Sequence, residues 1–422
     1  MSENISPLRP VVIIGAGIVG LCTAAWLCRE GVPVVVIDRR GPGEMTSFGN
    51  QGGIQSMAST PVGMPGMIRN LPSWLMDPLG PLAIRPAYMP KALGWFWKFW
   101  RQMGLEKVRH NARALNDLNR YSAETHLSLA EWSGARDLFH IPGQLYVWRS
   151  KANFDKAKLS REIWEATGQP FDVLSGDEVR QIEPQAGRLF EAGLRIPGNG
   201  YCDNPYKFSL SLAKAITGAG GDIRREEVTG FLREGSRVTG VMTDRGPQAA
   251  GIVVLAAGVW SKQLAAELGY RVPLESQRGY HVTIADAGLE LSNMLLVADK
   301  SIAVTPMEMG LRIGGTVEFA GTQALPDYRR AKALLGLGKA LFPDLAPANV
   351  TEWMGHRPCT PDSLPVIGQA DAHPNVMFAF GHGHMGLLGS APTGRIIADL
   401  VTGVSPRTSL APFRVERFGG PS

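Results

Sequence analysis

The chain is poor in cysteine: Cys22, Cys28, Cys202 and Cys359 are the four in 422 residues. None forms a CxxC pair, and none stands at metal-ligand spacing from the eight histidines. This argues against a disulfide scaffold or a structural zinc site, and for a reducing compartment. Charge is also sparse. Charged residues make up 19% of the chain and the net charge is +5, a mild excess that leaves no footprint for nucleic acid. No internal repeat or low-complexity linker divides the sequence. With 44% hydrophobic residues it can bury two moderate cores, so two domains are expected. The charge is unevenly spread. Between Lys91 and Arg113 six basic residues stand against one acid, Glu106, so this segment alone matches the net charge of the whole chain.

The most informative stretch is VVIIGAGIVGLCTAAWLCREGVPVVVIDRR, residues 11–40. Val11 to Ile14 read as a buried strand, a helix follows to Glu30, and Val34 to Ile37 read as a second strand ending at Asp38. Gly15, Gly17 and Gly20 form GxGxxG at the first turn, where glycine permits the tight turn, a close approach to a pyrophosphate and close helix packing. The helix N-terminus offers unpaired N–H groups to phosphates, and Asp38 can accept hydrogen bonds from ribose hydroxyls. A carboxylate there disfavours a 2′-phosphate, even with Arg39 and Arg40 adjacent. Residues 11–28 have the length of a signal segment or membrane span, but the three glycines, the lack of a basic lead-in beyond Arg9 and the absence of a small-residue cleavage pattern speak against both. A cytoplasmic location is expected.

Further along, GPGEMTSFGNQGG is a glycine-rich turn, and Pro61 to Pro90 reads as an irregular covering loop. Residues 91–135, 153–169 and 205–219 read as helical. Gly251 to Ala257 reads as a return to the buried parallel sheet, with a helix from Trp260. Residues 272–317 alternate like antiparallel strands, a helix spans about 327–341, and a short strand at Val376 to Phe380 precedes a last helix.

The motifs GAGIVG with Asp38, TSFGNQGG at 46–53, VVLAAGVWS at 253–261, RGYH at 278–281, TPMEMGLRIGGTVEFAG at 305–321, WMGHRPCTPDSLPVIG at 353–368 and GHGHMGLLGSAPTGRIIADLVTG at 381–403 occur in one order. Together they resemble the D-amino-acid oxidase superfamily of FAD enzymes, and within it the bacterial D-amino acid dehydrogenases. The resemblance thins over about 61–200, where it lies in composition and leaves the substrate open. It implies an α/β fold: a Rossmann-like FAD-binding domain from residues 10–60, 190–270 and 355–422, interleaved with an α+β substrate domain of 61–189 and 271–354 built on an antiparallel sheet.

The resemblance further implies non-covalent FAD and hydride transfer from an amino or imino acid Cα to flavin N5, giving an imine that water hydrolyses to a 2-oxo acid. Arg357 matches the position that grips the substrate carboxylate through its planar fork. Tyr280 and His281, on a strand of the substrate domain, are candidate pocket residues, with half-buried packing as the alternative for the tyrosine. The expected cofactor contacts are Gly15, Ala16, Gly17, Ile18, Val19, Gly20, Asp38, Arg39 and Arg40 at the first turn; Thr46, Ser47, Asn50, Gln51, Gly52 and Gly53 in the next; Val228 beside adenine; Ala257, Gly258 and Trp260; and Gly381, His382, Gly383, His384, Met385 and Gly386. A helix beginning near Met385–Gly386 is expected to aim its positive end at flavin N1 and O2. No metal is expected.

A D-amino acid is the favoured substrate; glycine, sarcosine, D-hydroxyproline or another secondary amine, and a flavin-holding subunit of a heteromeric electron-transfer complex, are the alternatives. Oxygen or a quinone is the expected acceptor. Residues 90–103, PKALGWFWKFWRQM, predict a helix with a wide aromatic arc opposite Lys91, Lys98 and Arg101. Two readings stand: a lid packed on the substrate domain, or a contact with the inner face of the cell membrane.

Overall fold

The computed structural model describes residues 9–55, 60–77 and 79–420. In chain order the elements that build the site are β1 (Val11–Ile14), α1 (Ile18–Arg29), β2 (Val34–Asp38), α2 (Met89–Trp100), α3 (Leu105–Asn119), α4 (Ser122–Trp132), β3 (Asp222–Arg225), β4 (Ile252–Leu255), β5 (Glu275–Asp286), β6 (Gly310–Phe319), β7 (Ala348–Cys359), β8 (Val366–Ala370), β9 (His373–Phe380) and α5 (Ser390–Thr402).

The first sheet runs β3-β2-β1-β4-β9-β8, parallel except for the β8–β9 hairpin. Its central strands are apolar on both faces, as a doubly covered parallel sheet requires. Side chains alternate between two cores. Val11, Ile13, Val34 and Val36 pack with α1 and α5, whereas Val12, Ile14, Val35 and Ile37 pack on the other side, against a three-stranded antiparallel layer and the helix Ser261–Glu267. The result is a three-layered nucleotide domain.

The second sheet has nine strands, in the order β7-β5-β6, Ile302–Met307, Leu295–Val297, Gln144–Trp148, Ala192–Ile196 and Asp172–Ser175, with Leu82–Ile84 joining the edge of β6. It is antiparallel except where Leu295–Val297 runs parallel to Gln144–Trp148 and where Leu82–Ile84 runs parallel to β6. Val282, Ile284 and Ile313 put its rear face into a separate core.

Several boundaries differ from expectation. Residues 91–135 are three helices, because Gly104 and the turn at Arg120–Tyr121 interrupt them. Pro61–Pro90 holds short elements, among them Leu71–Met76 and Leu82–Ile84, rather than only loop. Within 61–189, α3 and α4 set Leu115, Leu118 and Leu129 into the nucleotide-domain core, while Ala192–Ile196 belongs to the second sheet. An amphipathic pattern marks an apolar face but does not identify the core that covers it.

Candidate active site

A cavity of about 1290 Å³ lies between the two sheets and is lined from both. It exceeds the roughly 300–1,000 Å³ of a pocket for one drug-sized ligand, leaving room for a long cofactor and a second molecule.

At the nucleotide end, Gly15 has φ +114°, and a Cβ there would meet the Ala256 carbonyl oxygen at 2.5 Å. A Cβ on Gly20 would come within 1.9 Å of the Gly15 oxygen, so Gly20 serves helix packing and does not itself border the cavity. The first turn of α1 faces the cavity through Gly17, Ile18 and Val19 and carries no acid. The Ile18 N–H donates to Ser47 Oγ at 2.9 Å. Asp38 accepts from the N–H groups of Ala16 and Arg40, each at 2.8 Å. Burial raises its pKa, and those two N–H groups oppose the rise. Ala16 and Arg40 thus hold the carboxylate without touching the cavity, a correction to their expected direct contact. Arg39 lies 4.7 Å over the Trp260 ring, near Val228, Ala257 and Gly258, which all border the cavity.

The 46–53 turn is fastened to the second sheet. Thr46 Oγ1 donates to the His356 carbonyl at 3.0 Å, Thr305 Oγ1 to the Gln51 carbonyl at 3.0 Å, and Arg312 Nη1 to the Asn50 carbonyl at 2.6 Å. Thr46, Ser47, Asn50, Gln51 and Gly53 border the cavity; Gly52, with φ +80°, packs on the Cys202 carbonyl and does not. A Cβ on Gly314 would fall 1.6 Å from Gln51 Nε2, so that glycine makes room for the amide.

On the opposite wall Gly381, His382, Gly383, His384, Met385 and Gly386 all border the cavity. His382 Nε2 meets Thr393 Oγ1 and His384 Nε2 meets Gln277 Oε1, each at 2.9 Å. Burial lowers both histidines to about 3, and for His384 the nearby Arg357 adds to it. The last helix does not begin near Met385–Gly386. It begins at Ser390, after a 3-10 turn at Gly383–Met385 and a further turn over 386–389, in which the Ser390 N–H bonds the Leu387 carbonyl at 2.9 Å instead of extending a helical ladder from Gly386. The group nearest the cavity is therefore this turn, not an α-helix N-terminus.

The substrate end is read from strand periodicity. In the β5–β7 pairing Gln277 faces Arg357, Gly279 faces Gly355 and His281 faces Trp353, and all six border the cavity. The Arg357 guanidinium lies over Gly279, where a Cβ would come within 2.1 Å of its Cζ. Its Nη1 donates to the Thr316 carbonyl at 2.9 Å. Among the described residues it has no carboxylate partner. His281 stacks on Trp353 with centroids 5.0 Å apart, and Nδ1 lies 3.2 Å from the Gly49 carbonyl. Burial, with Arg312 and Arg357 close by, pushes its pKa down to about 2, so it is a neutral wall. Tyr280 borders the cavity, but its hydroxyl donates to Glu318 at 2.6 Å and accepts from the Asp327 N–H at 3.0 Å, and neither partner borders it. The phenol is thus turned away from the expected catalytic position.

The helix predicted at 90–103 divides its arc. Trp95 is buried and donates to the Cys359 carbonyl at 3.3 Å, and Phe96 lies 4.7 Å from Phe319, so the lid reading holds for this face. Leu93, Trp97 and Trp100 stay 57%, 58% and 49% exposed. Sequence reasoning missed Gln277, Trp353 and the Phe96–Phe99 wall. Counting by two from Arg357 reaches Trp353, and counting back by two from His281 reaches Gln277.

The chain matches the family model described as FAD dependent oxidoreductase over residues 10–400, nearly its whole length. It belongs to the FAD-dependent oxidoreductase family. Among relatives of this FAD-dependent oxidoreductase, a D-amino-acid oxidase of Bradyrhizobium diazoefficiens is 39% identical over 420 residues, covering 97% of this chain and 99% of that one. A D-amino acid dehydrogenase of the same organism is 33% identical, covering 97% and 98%. The fold is shared with the crystal structure of L-proline dehydrogenase from P. horikoshii, with a TM-score of 0.76, 21% identity, and coverage of 98% and 99%. FAD fits the cavity's chemistry: an acid-free helix start beside side-chain-free glycines for the pyrophosphate, and Asp38 for the ribose. No cluster able to hold a metal ion occurs among the described residues.

Proposed function

We infer that this FAD enzyme oxidises the Cα–N bond of a D-amino acid, releasing an imine that water hydrolyses to a 2-oxo acid and ammonia. One observation carries the reading: Arg357 is a guanidinium bordering the cavity, walled in by protein, with no carboxylate partner among the described residues. Such a group calls for an anion, and a bidentate carboxylate matches its fork. Bound FAD supplies the acceptor for the hydride that leaves Cα. Arg357 fixes the carboxylate and thereby the Cα. His281 and His384, neutral through burial, add no second cation to compete for it. Among the described residues no side chain at the cavity's substrate end is a ready base, so the amine enters deprotonated and its lone pair forms the C=N bond as the hydride departs.

The test is anaerobic mixing with a panel of D- and L-amino acids. Bleaching of the flavin absorbance by D- but not L-forms is expected; no bleaching by any amino acid overturns the reading. Arg357→Ala should lower kcat/KM by about 30- to 1,000-fold, the equivalent of about 2–4 kcal/mol, with FAD retained.

The flavin is held without a covalent bond. Cys359 does not border the cavity, and burial raises its thiol to about 12. Acid precipitation should leave the yellow colour in the supernatant.

For the acceptor we favour a quinone reached at a membrane surface. No described helix is long and apolar enough to cross a membrane. Contact at the surface is supported by exposed Leu93, Trp97 and Trp100 flanked by exposed Lys91, Lys98 and Arg101. Binding to anionic vesicles at low salt, weakened in a Trp97→Ser, Trp100→Ser variant, is the expected result; no binding removes this part.

A further inference from the structure

Given the oxidation of an amino acid at Arg357 argued above, the rest of the cavity bears on the part of the substrate that Arg357 does not hold. Among the described residues six charged side chains border the cavity. Five stand at the nucleotide end: Asp38 ends β2 and Arg39 follows it, Glu227 pairs with Arg39, Glu226 bonds Thr243 beside Val228, and Glu267 packs against Gly230. Arg357 alone stands at the other.

Past Thr316, whose buried hydroxyl has no partner among the described residues, the wall leading away from Arg357 is apolar. Arg357 holds the carbonyl of Thr316, and the next residues along β6 that border the cavity are Val317 and Phe319. Leu82 and Ile84 pair with these two in the edge strand, also bordering the cavity. Phe96 and Phe99 close it from α2, with Phe96 on Phe319 and Phe99 stacked 5.0 Å from Trp95. None of these six side chains carries a polar atom. A substrate held by its carboxylate at Arg357 projects its side chain along a wall that gains from every methylene removed from water, about fourfold in affinity each. These six side chains give a charged side chain no counter-ion and no hydrogen bond in exchange for its hydration.

We propose that this compartment selects D-amino acids with large apolar side chains, aliphatic or aromatic, over small and over charged ones. Phe96, Phe99, Val317 and Leu82 determine that selection.

The experiment measures kcat/KM of the FAD-loaded full chain, with an artificial dye as acceptor, for D-Phe, D-Leu, D-Met, D-Ala, D-Asp and D-Lys. The first three should exceed D-Ala by at least about tenfold and the charged pair by about a hundredfold. D-Ala, D-Asp or D-Lys equal to or above D-Leu overturns the proposal. Val317→Glu should raise the D-Lys to D-Leu ratio by about tenfold or more; an unchanged ratio in a folded, FAD-bound variant overturns it. Should that variant fail to fold, Phe96→Ala decides. D-Phe must then lose more than D-Ala, and equal losses overturn the proposal. The two readings fail separately. If no amino acid bleaches the flavin, the reaction itself is wrong. If only small or charged D-amino acids do, the reaction stands and the apolar selection falls.

Discussion

Arg357 is held in place by what its neighbours lack. Gly279 contributes no side chain, and the guanidinium occupies the space that a Cβ would fill, 2.1 Å from its Cζ. Residue 279 is not in the left-handed region, so alanine there strains no backbone. Gly279→Ala should therefore displace the arginine while leaving folding and FAD binding intact. A rise in substrate KM of about tenfold or more, for a displaced charge-assisted contact, is expected from steady-state kinetics. Asp38 is the corresponding residue at the nucleotide end. Asp38→Ala leaves the Ala16 and Arg40 N–H groups without their acceptor and the ribose without its own. Weakening of FAD binding by about 10- to 100-fold is expected, measured by flavin fluorescence on titrating the apo-protein.

At the scale of elements, α2 shows how one helix serves two environments. Trp95, stacked on Phe99 and bonded to the Cys359 carbonyl, ties the helix to β7. Trp95→Ala should cost about 3–5 kcal/mol of stability in urea unfolding, whereas Trp97→Ser, at an exposed position, should stay within about 0.5 kcal/mol. Equal costs would contradict the division of the helix into two faces. The β5–β7 pair makes the complementary point. Alternation puts Gln277, Gly279 and His281 towards the cavity, while between them Tyr280 gives its hydroxyl to Glu318, so adjacent residues of one motif face different partners.

Across the whole molecule, burial sets the response to acid. His126 and His356 are lowered to about 4, His382 and His384 to about 3 and His281 to about 2, in each case mainly by burial. In the unfolded chain a histidine takes its proton near 6.5. Below that pH the unfolded state binds protons that the folded state refuses, so stability is full above about 6.5 and falls as pH drops towards 4. The thermal midpoint should decline steadily from pH 7 to 5 at constant ionic strength. A flat or rising midpoint would show that these rings are not buried as described. Catalysis should lack a histidine limb in that range, since His281 and His384 stay neutral throughout; kcat/KM should follow only the deprotonation of the substrate amine.

The sequence by itself determined what depends on short stretches of chain. The turn at Gly15 to Gly20, the acid at Asp38 and the buried strands around them are local, because the tight turn, the helix start and the apolar period are written within thirty residues. The place of Arg357 on the cavity wall was legible through the ordered motifs around it. Tertiary structure decided what depends on residues far apart in the chain. The partners of Tyr280 lie 38 and 47 positions away, and their carboxylate and N–H, not the tyrosine's own strand, turn its hydroxyl from the cavity. The start of α5 at Ser390 was settled by the turns over 383–389, which this glycine-rich stretch permits but does not require. The covering of α3 and α4 by the nucleotide-domain core, and of half of α2 by Phe319, followed from packing. Sequence periodicity states that a face is apolar; only the assembled fold supplies the surface that meets it.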